Sequence, residues 1–212
     1  MFGKKKRILV LAPHTDDGEF GCGGTIAKLI EEGHEVYYAA FSACQQSVLP
    51  QFPSDILITE VKAATKVLGI RPENLILFDY DVRTFGYHRQ AILDDLIKLR
   101  SELKPDIIFM PERNDVHQDH KTIAEEGLRA FKFSSILSYE LPWNNLTFTT
   151  SSFIHLSEGQ IQTKIDALQE YKSQEHRPYS DEDFLRSLAR IRGVQIGTRY
   201  AEAFDIVRWI IT

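Results

Sequence analysis

The chain has 212 residues, 43% hydrophobic and 26% charged, with a formal net charge of −5. That length supports one domain with a sizeable core, predicted to span residues 1–212, and the mild acidity without a Lys/Arg stripe excludes nucleic acid as the expected partner. Two cysteines, Cys22 and Cys44, give no disulfide framework and suit a reducing cytoplasm. The basic start and the apolar run after it imitate a targeting segment. The run stops at Pro13 and His14, too short for a signal peptide or a membrane span, and reads as a first strand over 8–12.

After that strand come His14 and the paired carboxylates Asp16 and Asp17, then Gly21, Gly23 and Gly24, which let the chain turn sharply into a helix over 23–32. A second strand is predicted over 35–41, followed by a polar loop over 42–55 and a helix over 56–68 ending at Gly69. A short strand over 74–78 leads to a loop carrying Asp81, Arg83 and His88. An amphipathic helix over 89–103 and a buried strand over 106–110 follow. These strand–helix–strand units predict an α/β fold: a Rossmann-like three-layer α/β/α sandwich on a mostly parallel sheet. Helices are expected at 121–131, 160–171 and 181–192, and strands at 136–140 and 147–156. The tail, 200–211, reads as one or two edge strands, or a short helix and a strand.

A second constellation, His117, Asp119 and His120, stands after the fourth strand, at the mouth of a helix. It mirrors His14, Asp16 and Asp17, and in an open α/β sheet two such strand ends can converge on one crevice. Either motif alone could be a helix cap or a solvated helix start; together they point to function. Imidazole and carboxylate suit zinc with three protein ligands and one water. Asp16 and Asp17 are adjacent, so one can bind metal while the other faces the water as general base. Asp119 can hold one imidazole in its tautomer.

At these residues the chain resembles the LmbE-like (PIG-L) zinc-dependent N-acetylglucosaminyl deacetylases. Their first motif, roughly H-P-D-D followed by G-x-G-G-T, stands here as His14–Thr15–Asp16–Asp17 and Gly21–Cys22–Gly23–Gly24–Thr25; their H-x-D-H stands as His117–Gln118–Asp119–His120. The resemblance implies that His14, Asp17 and His120 bind Zn2+ and that Asp16 is the general base. It also implies that His117 stabilises the oxyanion or protonates the leaving amine, with Asp119 orienting it. Thr15 replaces a usual Pro and Gly18 a frequent Glu; neither removes a ligand. The implied substrate is a small-molecule amino-sugar conjugate, and the family implies self-association. Rival readings are a metal-dependent hydrolase of another amide or a phosphoester, a non-catalytic binding protein, and a dinucleotide-binding oxidoreductase. The last lacks the G-x-G-x-x-G fingerprint.

Other residues carry plainer expectations. Asp81, Arg83 and His88 read as solvated, Cys22 as a small buried hydrophobe, and His155 as a structural histidine. Trp143 and Trp209 read as core or interface. Arg113 and Asp115 are open between lining a pocket and not, and Tyr139 and Glu140 between positioning the site and capping the sheet edge.

Overall fold

The computed structural model describes residues 4–211; the outermost positions of the predicted domain, 1–3 and 212, lie outside them. The strands are β1 (Arg7–His14), β2 (Glu35–Ser42), β3 (Leu75–Leu77), β4 (Ile107–Pro111), β5 (Ser135–Tyr139), β6 (Ser152–Leu156) and β7 (Tyr200–Arg208). They form a seven-stranded sheet in the order β3-β2-β1-β4-β5-β7-β6. β1 to β5 pair in parallel, with Val10 beside Tyr38 on one side and Phe109 on the other. β7 is antiparallel to both its neighbours. The helices are α1 (Asp17–Glu31), α2 (Ile56–Val67), α3 (Arg89–Leu103), α4 (Gln118–Ala130), α5 (Glu158–Gln169) and α6 (Glu182–Gln195).

The two-residue period of β1 divides the core. Ile8, Val10 and Ala12 pack with apolar residues of α1, α2, α5 and α6, whereas Leu9 and Leu11 pack with those of α3 and α4. From β1 the chain steps outward to β2 and β3, then crosses back to β4 and continues to β5. The strand order therefore reverses between β1 and β4, and the crevice beyond their carboxyl ends is where such a sheet binds ligands. His14 ends β1, and Pro111 ends β4 a few residues before α4.

Two expectations about the second half are corrected. The tail is a single strand inside the sheet, because Tyr200 to Phe204 are buried on both faces, and β6 takes the edge instead. His155 stands on that edge strand and is exposed, not an interior histidine. Among the described residues no helix is long and apolar enough to cross a membrane.

Helix α1 begins at Asp17, earlier than the glycines suggest, and breaks at Cys22, whose backbone (φ −148°, ψ 24°) is not helical. A Cβ at Gly21 would collide with the Tyr139 ring, so the glycine lets the broken helix approach the sheet. The break strands backbone groups, and buried Lys164 and Glu202 satisfy them. Lys164 Nζ donates to the Phe20 carbonyl (2.6 Å) and to Glu202 (2.7 Å), while Glu202 accepts from Gly24 N–H (3.1 Å) and Thr25 N–H (2.7 Å).

Beneath the strand end, the hydroxyls of Tyr38 and Tyr171 each lie between the Thr15 carbonyl (2.9 and 2.8 Å) and the buried carboxyl of Glu19. Two hydroxyl protons face four acceptor contacts, so a proton on Glu19 supplies a third. Burial pushes this carboxyl up to about 8, against the pull of the Tyr38 and Tyr171 hydrogen bonds. The cluster fixes Thr15 between His14 and Asp16.

Lys164→Met leaves Glu202 buried without its cation and the Phe20 carbonyl unmet. Denaturant unfolding is expected to show a loss of about 3 kcal/mol or more; an unchanged midpoint would remove the pair from the fold's supports. For Glu19 the folded-state pKa is raised, so its stabilising protonated form is complete below the ordinary 4.5 and is lost as pH rises through about 8. The stability of Glu19→Gln relative to the parent is therefore expected to increase between pH 5 and 8. A gain of at least about 1 kcal/mol, or about 2–4 °C in Tm, is anticipated, measured on chelator-treated protein. A difference independent of pH would mean that Glu19 ionises normally.

Candidate metal centre and its pocket

Three side chains meet in the crevice between β1 and β4. His14 comes from the end of β1, Asp17 from the first turn of α1 and His120 from the first turn of α4. His14 Nδ1 and Asp17 Oδ2 are 3.1 Å apart, Asp17 Oδ2 and His120 Nε2 3.1 Å, and His120 Nε2 and His14 Nδ1 3.2 Å. Ligand atoms about 2.0–2.1 Å from a tetrahedral zinc stand about 3.3 Å from one another, so the triangle has the edge of a three-ligand face.

The outer nitrogens explain why the inner ones converge. His14 Nε2 lies 3.1 Å from Asp119 Oδ2 and His120 Nδ1 2.8 Å from Asp115 Oδ2. Each carboxylate takes the ring proton outward and leaves a lone pair facing inward. Asp17 Oδ2 also accepts the His14 backbone N–H at 2.9 Å. Burial alone would lower His120, but the anions of Asp17 and Asp115 outweigh it and push the imidazole up to about 10. His14 is raised by Asp17 and Asp119 against the same burial. Asp17, despite burial, is held well below the usual carboxylate range by the two histidines. A site that draws protons onto its imidazoles is one whose donors call for a cation.

Asp16 lies beside the triangle, half-buried and facing the pocket. Burial and the neighbouring Asp17 anion push it up to about 6, with Arg177 and His14 pulling the other way. His117 is the N-cap of α4: its Nδ1 accepts the Asp119 N–H at 3.2 Å, which assigns the ring proton to Nε2. Burial, His14 and His120 bring its pKa down to about 4, so the ring is neutral near pH 7. Its ring stacks on His120 with centroids 4.6 Å apart. One nitrogen from each of His14, His117 and His120 falls within 4.8 Å of the others, a cluster that can hold a metal ion, but the triangle that includes Asp17 is tighter.

The carboxylate of Asp119 does not orient His117, contrary to expectation. Besides His14, it accepts the backbone N–H of Arg83 (2.5 Å, Oδ2) and of Phe85 (3.3 Å, Oδ1), and only its own N–H reaches His117. Asp115 turns out to be the partner of His120, whereas Arg113 is exposed outside the pocket.

The triangle floors a cavity of about 440 Å³ whose walls include Phe20, Cys44, Arg83, Trp143, Arg177 and Tyr179. Trp143 and Tyr179 stack at 3.9 Å and 8°, and Phe20 meets both edge-on at 5.2 and 5.3 Å. Arg83 thus faces the pocket, while Asp81 and His88 stay exposed outside it. Cys22 is buried as expected, Tyr139 donates to the Leu11 carbonyl at 2.9 Å, and Glu140 pairs with Arg192. Trp143 is a wall of the pocket and Trp209 lies exposed beyond the end of β7. Sequence reasoning missed Arg177 and Tyr179. They stand in an aperiodic stretch after α5, where Pro178 is the one local sign of a fixed turn.

Residues 9–131 match the family described as GlcNAc-PI de-N-acetylase (PIG-L). The chain is 24% identical over 230 residues to the diacetylchitobiose deacetylase of Thermococcus kodakarensis, covering 97% of this chain and 85% of the relative. It is 30% identical over 178 residues to the uncharacterized deacetylase YaiS of Escherichia coli, covering 80% and 92%. The solved structure of N,N'-diacetylchitobiose deacetylase from Pyrococcus horikoshii, complexed with its inhibitor, shares the fold with a TM-score of 0.82 at 24% identity, over 97% of this chain and 85% of that one. The family match covers more than half of the sequence and includes every residue of the converging triangle, and the chain belongs to the GlcNAc-PI de-N-acetylase (PIG-L) family.

Proposed function

We propose that the protein is a zinc-dependent hydrolase that removes the acetyl group from an N-acetylglucosamine-type conjugate. The observation that carries this reading is the triangle of His14 Nδ1, Asp17 Oδ2 and His120 Nε2 with a spare carboxylate, Asp16, beside it. Relatives named as deacetylases point the same way. His14, Asp17 and His120 would hold the ion, which when bound supplies Lewis acidity toward the acetamide carbonyl and the attacking water.

Asp16 accepts a proton from that water as its oxygen attacks the carbonyl carbon, a role suited to a carboxyl raised to about 6. His117 offers Nε2–H to the developing oxyanion as a neutral donor, since protonating Nδ1 would break its bond to the Asp119 N–H. Losing such a donor commonly costs about 3–4 kcal/mol in the barrier. Asp16 then returns its proton to the nitrogen as the C–N bond breaks, giving acetate and a free amine. Asp119 and Asp115 keep the imidazoles of His14 and His120 in the binding tautomers.

The test is release of free amine from a panel of N-acetylglucosamine conjugates by zinc-loaded and chelator-stripped protein. Metal-dependent release is expected; zinc-loaded protein that releases amine from none of them would overturn the reading. Asp16→Ala is expected to keep stoichiometric zinc and to lose about 10²-fold or more in turnover, whereas His14→Ala loses the metal, as elemental analysis would register. An active Asp16→Ala would reassign the base.

A further inference from the structure

Glu60, on α2, is a buried carboxylate with no part in the hydrolysis. It is 4% exposed, lies outside the walls of the metal pocket and meets no cation directly among the described residues. Its oxygens accept the backbone N–H of Ser173 (Oε1, 2.8 Å) and the Ser173 hydroxyl (Oε2, 2.6 Å).

From Ser173 a chain of hydrogen bonds runs to the pocket, and the groups at its ends fix its direction. A carboxylate only accepts and a guanidinium only donates. The Ser173 proton therefore goes to Glu60, which leaves the hydroxyl oxygen to accept from Gln174 Nε2 (3.0 Å). Gln174 then presents Oε1 to Arg177 Nε (2.5 Å). Every donor points toward Glu60, with a carboxylate at one end, a guanidinium at the other and two buried neutral side chains between them. Bonds aligned in this way polarise one another.

At the pocket end, Arg177 Nη1 donates to the Tyr179 hydroxyl, and the Tyr179 ring stacks on Trp143 at 3.9 Å. No other acceptor among the described residues meets the guanidinium, which stands on a wall of the cavity that holds Asp16. A direct carboxylate partner would occupy the forked edge of the arginine; a relayed one leaves that edge open to the cavity.

We infer that Glu60 is a positioning residue for substrate: through Ser173 and Gln174 it acts as the remote counter-ion of Arg177 and fixes the Arg177, Tyr179 and Trp143 wall against which substrate binds. Neither Glu60 nor Ser173 lines the cavity, so an effect of either on a ligand has to pass along this chain. The inference rests on the deacetylase reading only for the choice of substrate.

The experiment is a pair of double-mutant cycles. Glu60→Gln leaves one oxygen for the two Ser173 donors, and Ser173→Ala keeps the backbone N–H but removes the link; each is combined with Arg177→Met. KM and kcat for amine release are measured on zinc-loaded protein. Acrylamide quenching of Trp143 is measured with and without zinc, in a Trp209→Phe background that removes the other of the two tryptophans. Each single substitution is expected to raise KM about tenfold with kcat within about twofold, to leave zinc content unchanged and to raise the quenching constant of Trp143. Beside Arg177→Met both effects are expected to shrink toward none, as for residues of one network. Should Glu60→Gln fail to fold, the Ser173→Ala cycle decides.

Full effects that persist beside Arg177→Met would overturn the inference, because Glu60 would then act by another route. So would unchanged quenching, or a parental KM together with a lowered Tm, the signature of a carboxylate that serves only the fold. Amine release from no conjugate removes the deacetylase reading and leaves the quenching cycle to decide the relay; release with additive effects does the reverse.

Discussion

Two imidazoles and a carboxylate that meet in a buried crevice keep their positions only if each is oriented from outside, and much of this molecule serves to hold them together. His14 Nδ1 and His120 Nε2 each stand 3.1 Å from Asp17 Oδ2 and 3.2 Å from one another, in a buried crevice. Two features make that possible. Parallel pairing of β1 with β4 sets the end of one strand beside the segment that leads into α4. Two further carboxylates, Asp119 and Asp115, accept the outer ring protons, so that neither imidazole is free to turn.

Asp119 joins three segments that are far apart in sequence: β1 through His14, the loop after β3 through Arg83 and Phe85, and α4, to which it belongs. A reading from sequence pairs it with His117, two residues away, but residues two apart in a helical turn do not face each other. His117 instead stands at the cap, and its tautomer follows from a backbone N–H. Neighbours in the chain are poor guides to which side chain orients which; the helix period decides. Below the site, the Glu19, Tyr38 and Tyr171 cluster performs a similar service for Thr15, and so for the spacing between His14 and Asp16.

Local pattern carried a good part of this structure. The apolar spacing of 89–103 matches α3 to the residue, and the runs before Pro13 and Pro111 are the two strands that frame the crevice. The two polar motifs are legible because each ends a strand. What the sequence conceals is settled by distant partners. The break in α1 is satisfied by Lys164 and Glu202, more than a hundred residues away. The interior place of β7 depends on which neighbour β5 accepts, which no local period encodes. Arg177 and Tyr179 lie in a stretch with no period at all, oriented through Gln174, Ser173 and Glu60.

The chemistry and the walls of the pocket are distributed unequally along the chain. His14, Asp16, Asp17, His117, Asp119 and His120 all fall within the family match over 9–131, whereas Trp143, Gln174, Arg177 and Tyr179 lie beyond it. There is a physical reason for such a division. Side chains that must converge to within about half an ångström are best placed on rigid elements, and these sit on strand ends and helix starts of the central sheet. A wall that reads the rest of a substrate can be rebuilt from irregular turns so long as something buried anchors it, as Glu60 anchors the turn that carries Arg177. Arg83 is the exception: it lies inside the matched region and is held by the same carboxylate that supports His14. Arg83 stands on the Asp119 side of the triangle, whereas Arg177 stands on the wall beside Asp16. The two arginines are therefore not duplicates: the backbone of one depends on the carboxylate that supports His14, the side chain of the other on a turn anchored by buried Glu60.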